Sequence, residues 1–331
     1  MPSVSAFAKP GTAPSESAAP IGVADLKIIE SEDLEQYLSL QPGDWDMQFT
    51  QLARAAFSSR LRIIRFESLV IYQNSWGPAS LAQGQSPEGW LMMGGIVNPD
   101  KAPVSWCGAR KDRRHFACAA GGEEIEFCVA DKCSDVVVLI DPSLLQQVLG
   151  DDVADAAMRT KHLDFGDAGG KLIDLALSML DHCESEPQLL QQPAIVAQAR
   201  SKLLRVLEDC FSNFDSQHGA DIPDSRQRLV HCAIQHVMQS DGQTSAWGMA
   251  QAVGASQKTL ELAFRDVLRT TPGKYLVLNR LNQAHHSLAY ADKSSTRVID
   301  VAMSLGFSHM GRFAGAYRVL FGELPSQTLE R

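Results

Sequence analysis

A chain that carries the same short pattern twice, about fifty residues apart, is held to few architectures. Residues 249–256 (MAQAVGAS) align with residues 301–308 (VAMSLGFS) at an offset of 52. One extra residue enters after the serine. Leu260, Phe264, Arg265, Leu268 and Pro272 then match Phe313, Tyr317, Arg318, Phe321 and Pro325 at an offset of 53. Each unit reads as a short helix, a glycine, a serine and a second helix, one supersecondary element used twice.

The residue types suit a helix-turn-helix. Ala250 and Ala302 are small enough for two helices to cross closely, and Gly254 and Gly306 allow the positive φ that ends the first helix in a sharp turn. Ser256 and Ser308 are placed to cap the second helix, whose N-terminal turns are then free to enter a major groove. Between the units, Thr271 and Pro272 open a long helix through Leu276, Leu281 and Leu288, a rod that would hold two reading heads about 34 Å apart, one turn of B-DNA.

Charge follows the same division. Residues 225–331 hold twelve lysines and arginines against seven acids, a net of +5, whereas residues 1–224 hold 18 against 32, a net of −14. A basic rear half points to phosphate backbones, and the acidic front half predicts a different partner.

At 331 residues the chain has room for two domains, and 45% hydrophobic with 21% charged residues is ordinary globular composition. Residues 1–24, rich in Ala, Pro, Ser and Gly, read as a disordered leader. From 25 to 150, short apolar runs alternate with breakers such as Gly77-Pro78, Asn98-Pro99 and Gly121-Gly122, as in an antiparallel sandwich or barrel. Two helical pieces are expected within it, near Asp33–Ser39 and Met47–Ala56. Residues 151–220 read as a helical linker with two amphipathic helices. Their apolar faces, including Leu172, Met179, Leu203, Leu207 and Cys210, pair within the domain or with a second copy of the chain. Residues 221–225 (DIPDS) lead into the wholly helical remainder, 225–331. No run of eighteen apolar residues and no secretory signal occurs, so a cytoplasmic protein without a membrane span is expected. Seven scattered cysteines without a C-x-x-C suit reduced thiols.

Residues 302–325 (AMSLGFSHMGRFAGAYRVLFGELP) resemble the signature of the AraC/XylS family of bacterial transcriptional regulators around its second helix-turn-helix, including Gly306-Phe307, Arg312-Phe313, Phe321-Gly322 and Pro325. The resemblance covers residues 225–331. It extends with fewer matched features over 33–215, where residues 43–48 (GDWDMQ) and the strands after them look like the cupin-like sensing domain of one branch. It implies an α+β protein with a cupin-like β-barrel domain, a helical linker and an all-α C-terminal domain with two helix-turn-helix motifs. Double-stranded DNA would be its partner, with a homodimer, RNA polymerase and a small-molecule effector as further expectations.

Carried over from the family, the base-facing positions of the first recognition helix fall on Lys258, Thr259, Glu261 and Leu262, with Gln257 and Arg265 nearer phosphate. In the second they fall on His309, Met310, Gly311, Arg312, Ala314 and Gly315, with Arg318 as the counterpart of Arg265. Lys258 and Arg312 can donate to guanine, Glu261 can accept from cytosine and Leu262 can meet a thymine methyl, each good polar pair contributing about 1–3 kcal/mol of discrimination. Gly311 and Gly315 each cost a helix about 1 kcal/mol relative to Ala and present no side chain, so the first helix should be the main reader and the second should contribute register and shape. Arg265 and Arg318 read equally well as surface charges, and Arg312 as one half of an internal ion pair.

Other chemistry has less support. His115, Cys118, Cys128 and Cys133 lie close in sequence but match none of the usual zinc spacings, so no metal is expected. Residues 33–149 contain one histidine, which leaves a catalytic cupin without its ligand set, and no phosphate-loop, dinucleotide or nucleophile-elbow motif occurs. An enzyme and a cofactor are therefore not expected. Tyr72, Trp76, Trp90, Trp106 and Phe127 either line an effector pocket inside the barrel or fill its core.

Overall fold

Short apolar runs bounded by turn residues build two antiparallel sheets from the first half of the chain. The computed structural model describes residues 24–98, 104–107, 109–212, 225–240 and 242–331. The expected leader, except for Ala24, and the linker at 221–224 lie outside the described residues. In order come β1 (Asp25–Ser31), α1 (Leu34–Ser39), β2 (Asp46–Gln51), β3 (Ser58–Phe66), β4 (Leu69–Gly77), β5 (Ser80–Gln85) and β6 (Leu91–Ile96). There follow β7 (Val104–Trp106), β8 (Ala109–Lys111), β9 (His115–Ala120), β10 (Glu124–Val129), β11 (Cys133–Ile140), α2 (Pro142–Leu149), α3 (Asp151–Met158) and β12 (His162–Asp164).

Strand order is β1-β3-β4-β11-β6-β9-β12 in a seven-stranded sheet and β2-β5-β10-β7-β8 in a five-stranded one. Each sheet is hydrogen-bonded within itself, and no closed ring of strand pairs joins them among the described residues. The barrel implied by the resemblance is thus replaced by two open sheets. Between them lies a core of Leu61, Ile63, Tyr72, Trp76, Trp106, Ile125, Val137 and Leu139, with Tyr37 from α1. Asp33 caps α1, its carboxylate accepting from the Gln36 amide at 3.0 Å.

The helix expected near Met47–Ala56 is instead strand β2, paired with β5 from Asp46↔Gln85 to Gln51↔Ser80. Met47 and Phe49, two residues apart, pack against the core between the sheets, and that period-two contact with a distant strand overrides local helical spacing.

The outer face of the seven-stranded sheet carries Ile64, Ile71, Phe116, Val136 and Val138, and helices cover it: α2, α3, α4 (Asp167–Ser185) and α5 (Pro193–Ser212), the last two joined by a 3-10 turn at Pro187–Gln191. Leu172, Leu203, Leu207 and Cys210 are buried in this layer and Met179 packs against it. These five side chains, expected at a pairing face, are taken up by packing within their own chain.

The rear half is helical: α6 (Ser225–Gln239), α7 (Ala246–Ala252), α8 (Gln257–Leu268), α9 (Pro272–Ala289), α10 (Val298–Ser304), α11 (Met310–Phe321) and α12 (Pro325–Glu330). No helix among the described residues is long and apolar enough to cross a membrane.

Candidate nucleic-acid interface

The two helix pairs, α7 with α8 and α10 with α11, arise from local signals. Gly254 (φ +64°) and Gly306 (φ +80°) take the left-handed turn between helices, a conformation that strains a residue bearing a Cβ. Ala250 and Ala302 are buried where the helices cross. Ser245 caps α7, accepting from the Gly248 amide at 3.0 Å, and Ser256 caps α8, accepting from Thr259 at 3.1 Å. Thr271 accepts from Lys274 at 3.3 Å and so starts α9 with Pro272 in its first turn. At about 1.5 Å per residue, the 18 residues of α9 form a rod of about 27 Å.

Ser308 does not cap the second recognition helix. The N-cap of α11 is His309, which makes no side-chain capping bond. The extra residue in the second unit explains this: with the offset grown from 52 to 53, the position matching Ser256 is His309 and no longer Ser308. Beneath that turn the Arg280 guanidinium of α9 stacks on the Phe307 ring, 5.4 Å from its centroid.

Each head has its own core. Val230, Ile234, Met249, Leu260, Phe264 and Tyr275 fill the first; Leu281, Leu288, Ala302, Phe313, Tyr317 and Leu320 fill the second. Matched residues of the repeat therefore do matched work, and the residues expected to face DNA lie on the opposite side. Gln257, Lys258, Thr259, Leu262 and Arg265 are exposed on α8, as are His309, Gly311, Arg312, Gly315 and Arg318 on or beside α11, with Glu261, Met310 and Ala314 half-buried. Glu261 and Arg265 pair with each other at 2.6 Å on the surface. Arg312 makes no ion pair among the described residues, so the internal pairing considered for it is not formed.

In the front half, Tyr72, Trp106 and Phe127 meet at the core between the sheets and Trp90 packs at its margin. Trp106 stacks on Phe127 with centroids 6.0 Å apart, and Trp76 lies 5.5 Å from the same ring. A polar chain runs through this core that the sequence reading missed. The Tyr37 hydroxyl donates to Asn74 Oδ1 at 2.7 Å, Asn74 Nδ2 donates to Asp135 Oδ2 at 2.8 Å, and Trp76 Nε1 donates to Asp135 Oδ1 at 3.2 Å. Burial pushes the Asp135 carboxyl up to about 7, against those two donors. An aspartate heading the apolar run of a buried strand (CSDVVVLI) is the signal that marks it. No cluster of three or more His, Cys, Asp or Glu able to hold a metal occurs among the described residues.

Two helix-turn-helix units on one rod, their recognition faces exposed, define a DNA-binding class of protein. A family model described as a helix-turn-helix domain matches residues 249–331. The chain is 30% identical over 137 residues to XylDLEGF operon transcriptional activator 2 of Pseudomonas putida, covering 41% of this chain and 85% of that one. It is 41% identical over 81 residues to the probable thc operon regulatory protein of Rhodococcus erythropolis, covering 24% of each. The chain belongs to the AraC/XylS family of helix-turn-helix transcriptional regulators, which is not a family of enzymes. It spans 24% to 46% of the length of the first curated relatives it matches. Among solved structures, the AraC-like transcriptional activator CuxR aligns over 79% of this chain and 96% of its own at 14% identity and a TM-score of 0.41.

Proposed function

We propose that the chain is a sequence-specific transcriptional regulator that lays α8 and α11 in adjacent major grooves on one face of double-stranded DNA and answers to a signal through its front half. The observation that carries this reading is the duplicated unit with both recognition faces exposed and both cores turned away from them. Lys258, Thr259, Glu261 and Leu262 read bases from α8, while Gln257, Arg265 and Arg318 hold phosphates. Without a cap and with Gly311 and Gly315 on its surface, α11 supplies register and shape, Arg312 being its one strong donor.

Selected-site DNA binding with the full chain tests this. Lys258→Ala is expected to lower affinity for the selected site about 5- to 150-fold and to relax preference at one position under α8. Arg312→Ala is expected to act about one helical turn away. Removing a phosphate-holding arginine instead weakens all sequences alike and lowers the salt dependence by about one counterion. Equal base preference under both helices would refute the division of labour between them.

A second reading, in which the front half is structural and a constitutive homodimer is governed by protein contacts such as RNA polymerase, draws support from the rings between the sheets, which already pack on one another. Thermal-shift screening of the full chain against small metabolites separates the two. A specific effector must raise the melting temperature by mass action, and a filled structural core gives no such rise.

A further inference from the structure

The five-stranded sheet grips the rear of both reading heads, and the grip on the second is polar. Gln51, the last residue of edge strand β2, is buried, and its backbone N–H donates to Asn282 Oδ1 at 2.8 Å. Its carbonyl accepts from Asn282 Nδ2 at 3.2 Å. The Asn282 amide, in the middle of α9, thus pairs with the edge of the sheet as a neighbouring strand would. The Gln51 side chain continues the grip: Nε2 donates to the Leu320 carbonyl near the end of α11 at 2.8 Å, and also to the carbonyls of Ala53 and Ala55. Leu52 packs against the cores of both heads.

On the first head, Leu81 of β5 enters the core that also holds Phe264. His231 of α6 sits 2.9 Å from the Glu126 carboxylate of β10, whose other oxygen accepts from Gln83 at 2.9 Å. Throughout, the recognition faces stay open, since Lys258, Leu262, Arg265, His309, Gly311 and Arg312 are all exposed.

Apolar packing between a helix pair and the rod allows a range of angles, since burial is non-directional and crossing angles scatter by about 15–20°, whereas hydrogen bonds to a fixed strand edge have a narrower geometry. We propose that the β2 edge is a splint, and that Gln51 and Asn282 are positioning residues that set the angle and spacing between the two reading heads. The front half thereby takes part in DNA specificity without touching DNA. This rests on the two-groove reading above.

The test is binding by the full chain to its selected site and to duplexes with one or two base pairs added to or removed from between the half-sites. Wild type is expected to bind the altered spacings at least about tenfold more weakly, since each base pair turns one half-site by about 35° relative to the other. Asn282→Leu and Gln51→Ala are expected to shrink that penalty to about threefold while keeping the base preferences within each half-site. Gln51→Ala removes only the tie to α11 and its two loop carbonyls, so it reads out the splint if Asn282→Leu fails to fold. A contact that served folding alone would weaken every duplex by one factor and leave the spacing profile unchanged, and that result overturns the splint. Wild type showing no sequence preference at all would remove the two-groove reading, and the splint with it.

Discussion

Phe264→Ala should cost the protein about 3–5 kcal/mol and abolish sequence-specific binding. The ring is fully buried, meets Tyr275 edge-on with centroids 5.7 Å apart, and lies in a core that includes Val230, Ile234, Met249, Leu260 and, from the front half, Leu81. Truncation removes the ring's transfer energy and leaves a cavity that the surrounding packed core cannot close without moving α8. Against a typical stability of about 5–15 kcal/mol, the loss is large enough to melt the first head. Urea denaturation of Phe264→Ala beside Lys258→Ala checks it: the midpoint should fall for the first and stay for the second, although both bind the selected site more weakly. An unchanged midpoint for Phe264→Ala would mean that the first head is not built around this ring.

The second large effect depends on pH. The Asp135 carboxyl sits at about 7 in the folded chain against an ordinary value of 3.8, and burial is the cause. A group held up in this way stabilises the fold fully below its unfolded value, and the stability is lost as pH rises towards the folded value. The window is therefore about pH 4 to 7, and the loss across it is about 4 kcal/mol. Asp135→Asn has no charge to bury. Its oxygen still accepts from Trp76, and Asn74 keeps the chain intact by turning its amide over, donating to the Tyr37 hydroxyl and accepting from the new amide. The stability of Asp135→Asn relative to wild type should rise steadily from pH 4 to 7 and then level off. Parallel stability curves for the two proteins would show that the carboxyl does not titrate in this window.

Part of the candidate site was legible because its signals are local. The turn glycines, the Ser256 and Thr271 caps and Pro272 act within four residues of their own positions, so the first unit and the rod could be read from spacing alone. Ser308 does not cap α11 for an equally local reason, the one-residue shift that places His309 at the N-cap. In the front half, the runs at 61–64, 69–72, 90–93, 125–129 and 136–140 fall in or against strands β3, β4, β6, β10 and β11, since turn residues bound them. Residues 47–51 form a strand where their spacing also suits a helix, because a short apolar run fits either period and only its partner decides which applies.

By itself, then, the sequence determined the duplicated reading unit, the charge division and the strand-rich front half, all of which rest on interactions between near neighbours in the chain. Tertiary structure decided whether the sheets close, which way β2 folds, how Asp135 titrates and where Gln51 meets Asn282, 231 residues away. Each of those outcomes depends on groups that folding alone brings within a few ångströms, where burial and hydrogen-bond geometry are set by the partner and not by the residue.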